Sequence, residues 1–290
     1  MLNNRQRALV LGGGGFVASS WITGLITGMA ESGIDVRDAD VLIGTSSGAR
    51  VALQLASGAA LEEVFARQVG AGQHFGTAPH AGRQTGAVDM SRVQQEVARA
   101  RELGGDRAEI LRRYGQLALS LAGPERRAPG TMQLPMDDWP ERRIQLIALN
   151  AETGVRRAFD RASGIDLVDA VMATTASFGA APVWFEGQPY IDGGYYSSDN
   201  ADLAAEYGQV LVLALKAPSW AMRLVSVEEG IAELRASGAE VELIQPDDEA
   251  MEVITSAGSP MNPAVFEPVT RAGRAQGLRV AAQRGTAGFW

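Results

Sequence analysis

The sequence has no cysteine. That absence excludes disulfides, thiolate chemistry and cysteine-ligated zinc together. It fits a reducing compartment. Histidine is almost missing too: only His74 and His80 occur, so a mechanism that needs an imidazole base has two residues to draw on. Basic charge is in deficit. Twenty-six basic residues, of which Lys216 is the one lysine, face 34 acidic ones for a net charge of -8, the reverse of what a nucleic-acid binder shows. No apolar run approaches about 18 residues, so no membrane-crossing helix is expected. The opening stretch MLNNRQRALVLGGGG breaks at four glycines after a short apolar run and reads as a strand and turn rather than a signal peptide. The expectation is a cytoplasmic protein, with peripheral membrane contact left open.

Hydrophobic residues make up 46% and charged residues 21% of the 290, enough for a sizeable core and against disorder. A chain of this length fits a single α/β domain. Residues 7–11 read as a buried strand, 12–15 as a tight glycine turn and 16–31 as a helix closed by Gly33. A short strand at 41–43 runs into Gly44-Thr45-Ser46-Ser47-Gly48, with helices at 49–56 and 61–69. This succession predicts an α/β fold with a parallel sheet. Residues 71–87 and 124–140 read as loops, and 88–103 and 107–121 as two helices joined by Gly104-Gly105. Together, about 71–140 reads as a helical insertion or cap, either a lid or flank packing. Strands follow at 143–150, 155–159, 189–191, 209–215 and 241–244. Helices follow at 165–174, 202–207 (short), 227–237 and 264–284.

Gly44-x-Ser46-x-Gly48 sits directly between a strand and a helix. A serine at the tip of such a turn adopts strained backbone angles, and its neighbours two positions away must be small for strand and helix to approach. The serine is then presented at a helix N-terminus, where free N–H groups favour developing negative charge. The competing reading is a plain Gly/Ser loop. Gly12 to Gly15, on another strand-to-helix turn, suit an oxyanion hole. The competing reading is a dinucleotide fingerprint, Gly13-x-Gly15-x-x-Ala18, which would make the chain an NAD(P)-binding oxidoreductase. That fingerprint expects an acidic residue after the second strand, where this chain has Gly44-Thr45-Ser46. No histidine follows His80, so the order serine, acid, late histidine is unavailable. An acid that reaches the serine directly is needed, and Asp192-Gly193-Gly194, at the end of a short strand, offers one. By itself it is also an ordinary turn.

Four glycines, then Gly-x-Ser-x-Gly about thirty residues on, then Asp-Gly-Gly far downstream resemble the patatin-like phospholipases, as does Ala201-Asp202-Leu203-Ala204 ahead of the strand at 209–215. The resemblance covers about 6–70 and 143–215. It implies a three-layer α/β/α fold with a mainly parallel sheet and hydrolysis of lipid acyl esters without a metal or other cofactor. By position, Ser46 would be the nucleophile and Asp192 the general base. Gly13, Gly14 and Gly15 would line the oxyanion hole, and Gly44 and Gly48 would flank the nucleophile elbow. Where the family often carries a basic residue and a glycine after the four glycines, this chain has Val17 and Ala18. That departure keeps open a non-catalytic member binding lipid or a protein. The expected partner is a lipid or acyl-ester substrate and not a nucleic acid.

Overall fold

A computed structural model describes residues 3–74, 88–122, 134–216, 222–259 and 261–284. His80 and most of the two expected loops lie outside them. In chain order the elements are β1 (Asn3–Leu11), α1 (Gly15–Glu31), β2 (Val41–Thr45), α2 (Ser47–Ala56), α3 (Leu61–His74), α4 (Met90–Glu102), α5 (Arg107–Leu121), β3 (Ile144–Asn150), β4 (Arg156–Phe159), α6 (Leu167–Thr174), β5 (Val183–Phe185), β6 (Gln188–Asp192), β7 (Tyr207–Leu213), α7 (Val227–Ala236), β8 (Glu240–Ile244), α8 (Asp248–Ala257) and α9 (Phe266–Arg284).

Strands β3, β2, β1, β7 and β8 run parallel at the heart of an eight-stranded sheet, while β4, β6 and β5 join antiparallel. Alternate residues of a strand face opposite sides, and the core divides accordingly. Leu9, Leu11, Leu42, Leu146 and Ala148 pack under α1, α2, α6 and α9. Ala8, Val10, Ile43, Ile147 and Val212 pack under α7. Leu149 shares a face with Ile147 and meets α4 and α5 through Val93, Val97, Leu111 and Tyr114, together with Tyr195 and Tyr196. The result is helices on both faces of a mainly parallel sheet. No helix among the described residues is long and apolar enough to cross a membrane.

Three local expectations change. Residues 71–74, expected in a loop, continue α3. Their turn packs at Gly72 against the Pro263 backbone ahead of α9, and this contact outweighs the weak helix propensity of glycine. The short helix expected at 202–207 is a 3-10 turn over Ala201–Ala204, and Tyr207 already belongs to β7. Strand β5 and helix α8 were not foreseen. The first is three residues long, joined to β6 through Glu186 and Gly187 at φ 52° and 74°, a hairpin connection that usually announces itself as Asn-Gly.

One feature of the topology positions the site. Leu146 and Ile147 of β3 pair with both β2 and β4, and Ala148 and Leu149 pair with both β4 and β6. A strand has two edges, and β4 holds one of them throughout. Strands β2 and β6 therefore share the other edge, end to end. Thr45 closes β2 opposite Ile147, and Asp192 closes β6 opposite Ala148, so the residues leaving the two strands converge.

Candidate active site

Ser46 stands between β2 and α2 with φ 54° and ψ -120°, a left-handed conformation that a non-glycine residue adopts at a cost of about 1–3 kcal/mol. The sharp turn is possible because both flanking positions lack a Cβ. One added at Gly44 would come within 2.5 Å of Ala49 Cα, and one added at Gly48 would collide with the Leu11 carbonyl. The elbow is also pinned from outside. Ser46 N–H donates to Thr174 Oγ1 at 2.9 Å, and the Thr174 hydroxyl donates to the Ile147 carbonyl at 2.6 Å. Thr174 is fully buried at the end of α6.

Asp192 lies across from it. Ser46 Oγ donates to Asp192 Oδ2 at 2.8 Å, and Gly194 N–H donates to Oδ1 at 2.8 Å. The backbone N–H of Asp192 is held by the Ala176 carbonyl at 3.1 Å. The residue is 7% exposed. Burial disfavours the charged form and pushes its pKa up to about 6, against the opposing pull of the Gly194 N–H and the Ser46 hydroxyl. On the 3-10 turn Gly193–Tyr195 that follows Asp192, Tyr195 is buried, and burial first and Asp192 second raise its phenol well above the usual range.

The glycine turn after β1 abuts the elbow. A Cβ on Gly13 would sit 2.9 Å from Ser46 Cβ and 3.1 Å from the Thr45 carbonyl. Gly13 N–H donates to the Ser198 carbonyl at 2.7 Å and Gly12 N–H to the Leu213 carbonyl at 2.9 Å. Gly14 and Gly15 open α1 with φ 146° and 66°, and their N–H groups, at the positive end of the helix dipole, have no acceptor among the described residues. Of the three glycines expected to line an oxyanion hole, Gly13 therefore has its N–H engaged, and Gly14 and Gly15 have theirs free.

The structure thus brings together Ser46, Asp192, Gly13, Gly14 and Gly15, held on Gly44 and Gly48. It adds residues that the sequence did not single out: Thr45, Thr174, Ser198, Asp199 and Asn200. Burial raises the pKa of the Asp199 carboxyl, which accepts from Ala201 N–H at 3.0 Å and from the Ser197 and Ser198 hydroxyls at 3.1 Å each. The clue on offer was a Ser-Ser-Asp-Asn run shortly after Asp192, a cluster of small polar residues that is equally ordinary in an exposed loop.

Comparison with known proteins gives one match to a family model: patatin-like phospholipase, over residues 9–205. No curated protein matches the chain. Among solved structures, VipD from Legionella pneumophila is similar at 15% identity and a TM-score of 0.40, over 86% of this chain and 53% of that one. The type III effector protein ExoU is similar at 13% identity and a TM-score of 0.37, over 96% and 53%. ExoU in complex with SpcU from Pseudomonas aeruginosa gives 13% identity and a TM-score of 0.37, over 96% and 54%. This chain spans about half the length of each of these chains.

Proposed function

We propose that this chain, which belongs to the patatin-like phospholipase family, is a serine acyl hydrolase that cleaves carboxylic esters of lipids with Ser46 as nucleophile and Asp192 as its base. The observation that carries the reading is the 2.8 Å hydrogen bond from Ser46 Oγ to Asp192 Oδ2 at a left-handed strand-to-helix turn. Nucleophile and base within hydrogen-bond reach, with the base oriented by a further group, is the arrangement that nucleophilic catalysis requires. Here the orienting group is Gly194 N–H.

In the first step Ser46 Oγ attacks the ester carbonyl as its proton passes to Asp192. The oxyanion forms beside the free N–H groups of Gly14 and Gly15. One such donor contributes about 2.7–4 kcal/mol to the transition state. The leaving alcohol takes the proton from Asp192. Water then attacks the acyl-serine and gives a proton to Asp192, which passes it to Ser46 Oγ as the acid leaves. A carboxylate at its ordinary pKa is a poor base for an alcohol. The pKa of about 6 imposed on Asp192 by burial brings it closer to the operating pH.

The chain is read as one domain, with α4 and α5 as an insertion seated on the turn after Asp192. The substrate is a lipid acyl ester met at a membrane surface or in a dispersed state. The test is labelling with a fluorophosphonate probe, followed by mapping of the modified residue. Ser46 is the expected site, and Ser46→Ala is expected to lose both the label and p-nitrophenyl ester hydrolysis while keeping its fold. A folded protein that leaves Ser46 unlabelled would falsify the reading.

A further inference from the structure

Strands β2 and β6 meet end to end on β3 and share no ladder with each other. In addition to their common pairing with β3, a buried amide links the two directly. Asn200 is fully buried with φ 54°, a left-handed conformation that asparagine tolerates better than most residues. Its Nδ2 donates to Thr45 Oγ1 at 3.0 Å, to the Ser197 carbonyl at 2.8 Å and to the Gly193 carbonyl at 3.3 Å. Thr45 directly precedes Ser46, and Gly193 directly follows Asp192.

The other end of the amide is held as firmly. Asn200 Oδ1 accepts from Arg156 Nη1 at 3.0 Å. Arginine only donates, so its presence fixes which amide atom is the oxygen. Arg156 is itself held by Asp202 through bonds of 2.8 and 2.5 Å, and it lies over the Tyr196 ring at 3.5 Å from the centroid. The Asn200 amide nitrogen thus donates to the Thr45 hydroxyl on the nucleophile's side and to the Gly193 and Ser197 carbonyls on the side of the base. The same segment also reaches the third component, since the Ser198 carbonyl accepts from Gly13 N–H at 2.7 Å.

We propose that Asn200 is a positioning residue for the reaction: by tying the residue before the nucleophile to the residue after the base, it sets the distance over which the serine proton is transferred. The inference rests on the Ser46–Asp192 reading above. It does not make Asn200 a catalytic residue, because its amide is fully spent on protein partners. Its effect is geometric, and a displacement of about 1 Å between reacting groups can lower rate by about 100-fold.

The experiment uses the whole chain. Steady-state constants on a p-nitrophenyl ester and the rate of fluorophosphonate labelling are measured for wild type, Asn200→Asp, Thr45→Val and Thr45→Ser, with folded fraction followed by circular dichroism. Asn200→Asp keeps the shape and the pairing with Arg156 but removes both donors. Thr45→Val keeps the volume and removes the acceptor, and Thr45→Ser restores it. Asn200→Asp and Thr45→Val are expected to lower kcat by about 10- to 100-fold with KM nearly constant, and Thr45→Ser to regain most of that loss. A purely structural role would lower activity only in proportion to the folded fraction, and that result overturns the proposal. So does wild-type labelling in Asn200→Asp. If Asn200→Asp does not fold, the two Thr45 variants decide: equal rates in Thr45→Val and wild type overturn it. Unlabelled wild-type protein removes the hydrolase reading and the positioning role together, whereas labelled wild type with unaffected variants removes the positioning role alone.

Discussion

Around Ser46 and along the contact between α1 and α9, glycine lets two stretches of backbone come closer than any side chain would permit, but the two regions use the closeness differently. In the helix pair, a Cβ on Gly24 or Gly28 would strike the Thr270 or Arg274 carbonyl, and one on Gly273 or Gly277 would strike the Trp21 or Leu25 carbonyl. The helices fill the space with each other. Side-chain bonds lock the contact: Trp21 Nε1 donates to Gln276 Oε1 at 2.7 Å, and Arg274 pairs with Glu31 at 2.7 and 2.6 Å. Glycine in a helix costs about 1 kcal/mol relative to alanine, and here that cost is offset by contact. At the site, Gly14 and Gly15 take left-handed angles and leave N–H groups without acceptors among the described residues, next to a strained serine and a buried carboxylate. One set of glycines closes a helix contact; the other, in the proposed reaction, would offer backbone groups to the substrate.

Asp192→Asn is the strongest way to test that contrast. Turnover is expected to fall on the order of 10³-fold or more, while stability above pH 6 rises. Burial raises the folded-state pKa from 3.8 to about 6. The folded state therefore binds more protons than the unfolded state across that interval. Stability tied to the neutral carboxyl is fully present below pH 3.8 and is lost as pH rises through 6. The asparagine variant escapes that loss, with a gain of no more than about 3 kcal/mol. Thermal melts of both proteins from pH 4 to 8 check it, and parallel curves would remove the claim that the site is held at the expense of stability.

Gly13→Ala comes next. Its methyl meets Ser46 Cβ at 2.9 Å, so kcat/KM is expected to fall about 100-fold, with a smaller loss of Tm than the 2.2 Å clash at Gly277 causes. Gly277→Ala should do the reverse, costing about 1–3 kcal/mol of stability through overpacking and leaving turnover per folded molecule intact. Melting curves and active-site titration of both variants separate the two roles, and a shared phenotype would collapse the comparison. The smallest effect is in wild type alone: the ascending limb of kcat/KM against pH should have its midpoint near the Asp192 pKa of about 6, because the base works only when ionised.

Much of the architecture was legible in the sequence. Residues 107–121 carry helix α5 with the expected bounds, and the strand, turn and helix order around Ser46 follows from apolar runs broken by glycine. What was missed had weak local signals. Strand β5 has three residues, and its turn uses Glu186, an unusual residue at positive φ. Thr174 reads from sequence as the last residue of an apolar helix, yet its hydroxyl links Ser46 N–H to β3. Asn200 sits in a polar run that composition alone assigns to a surface loop, and it is fully buried.

The sequence by itself determined the kinds of chemistry at hand: a serine on a glycine-flanked turn, a glycine-lined helix start, and no late histidine to serve as base. Those are local properties, written in steric demands over five or six residues. Tertiary structure alone decided that Ser46 meets Asp192, 146 positions away, because β2 and β6 divide one edge of β3 between them. It also set the chemistry of that carboxylate, since the burial that raises its pKa comes from packing of segments that the chain keeps far apart.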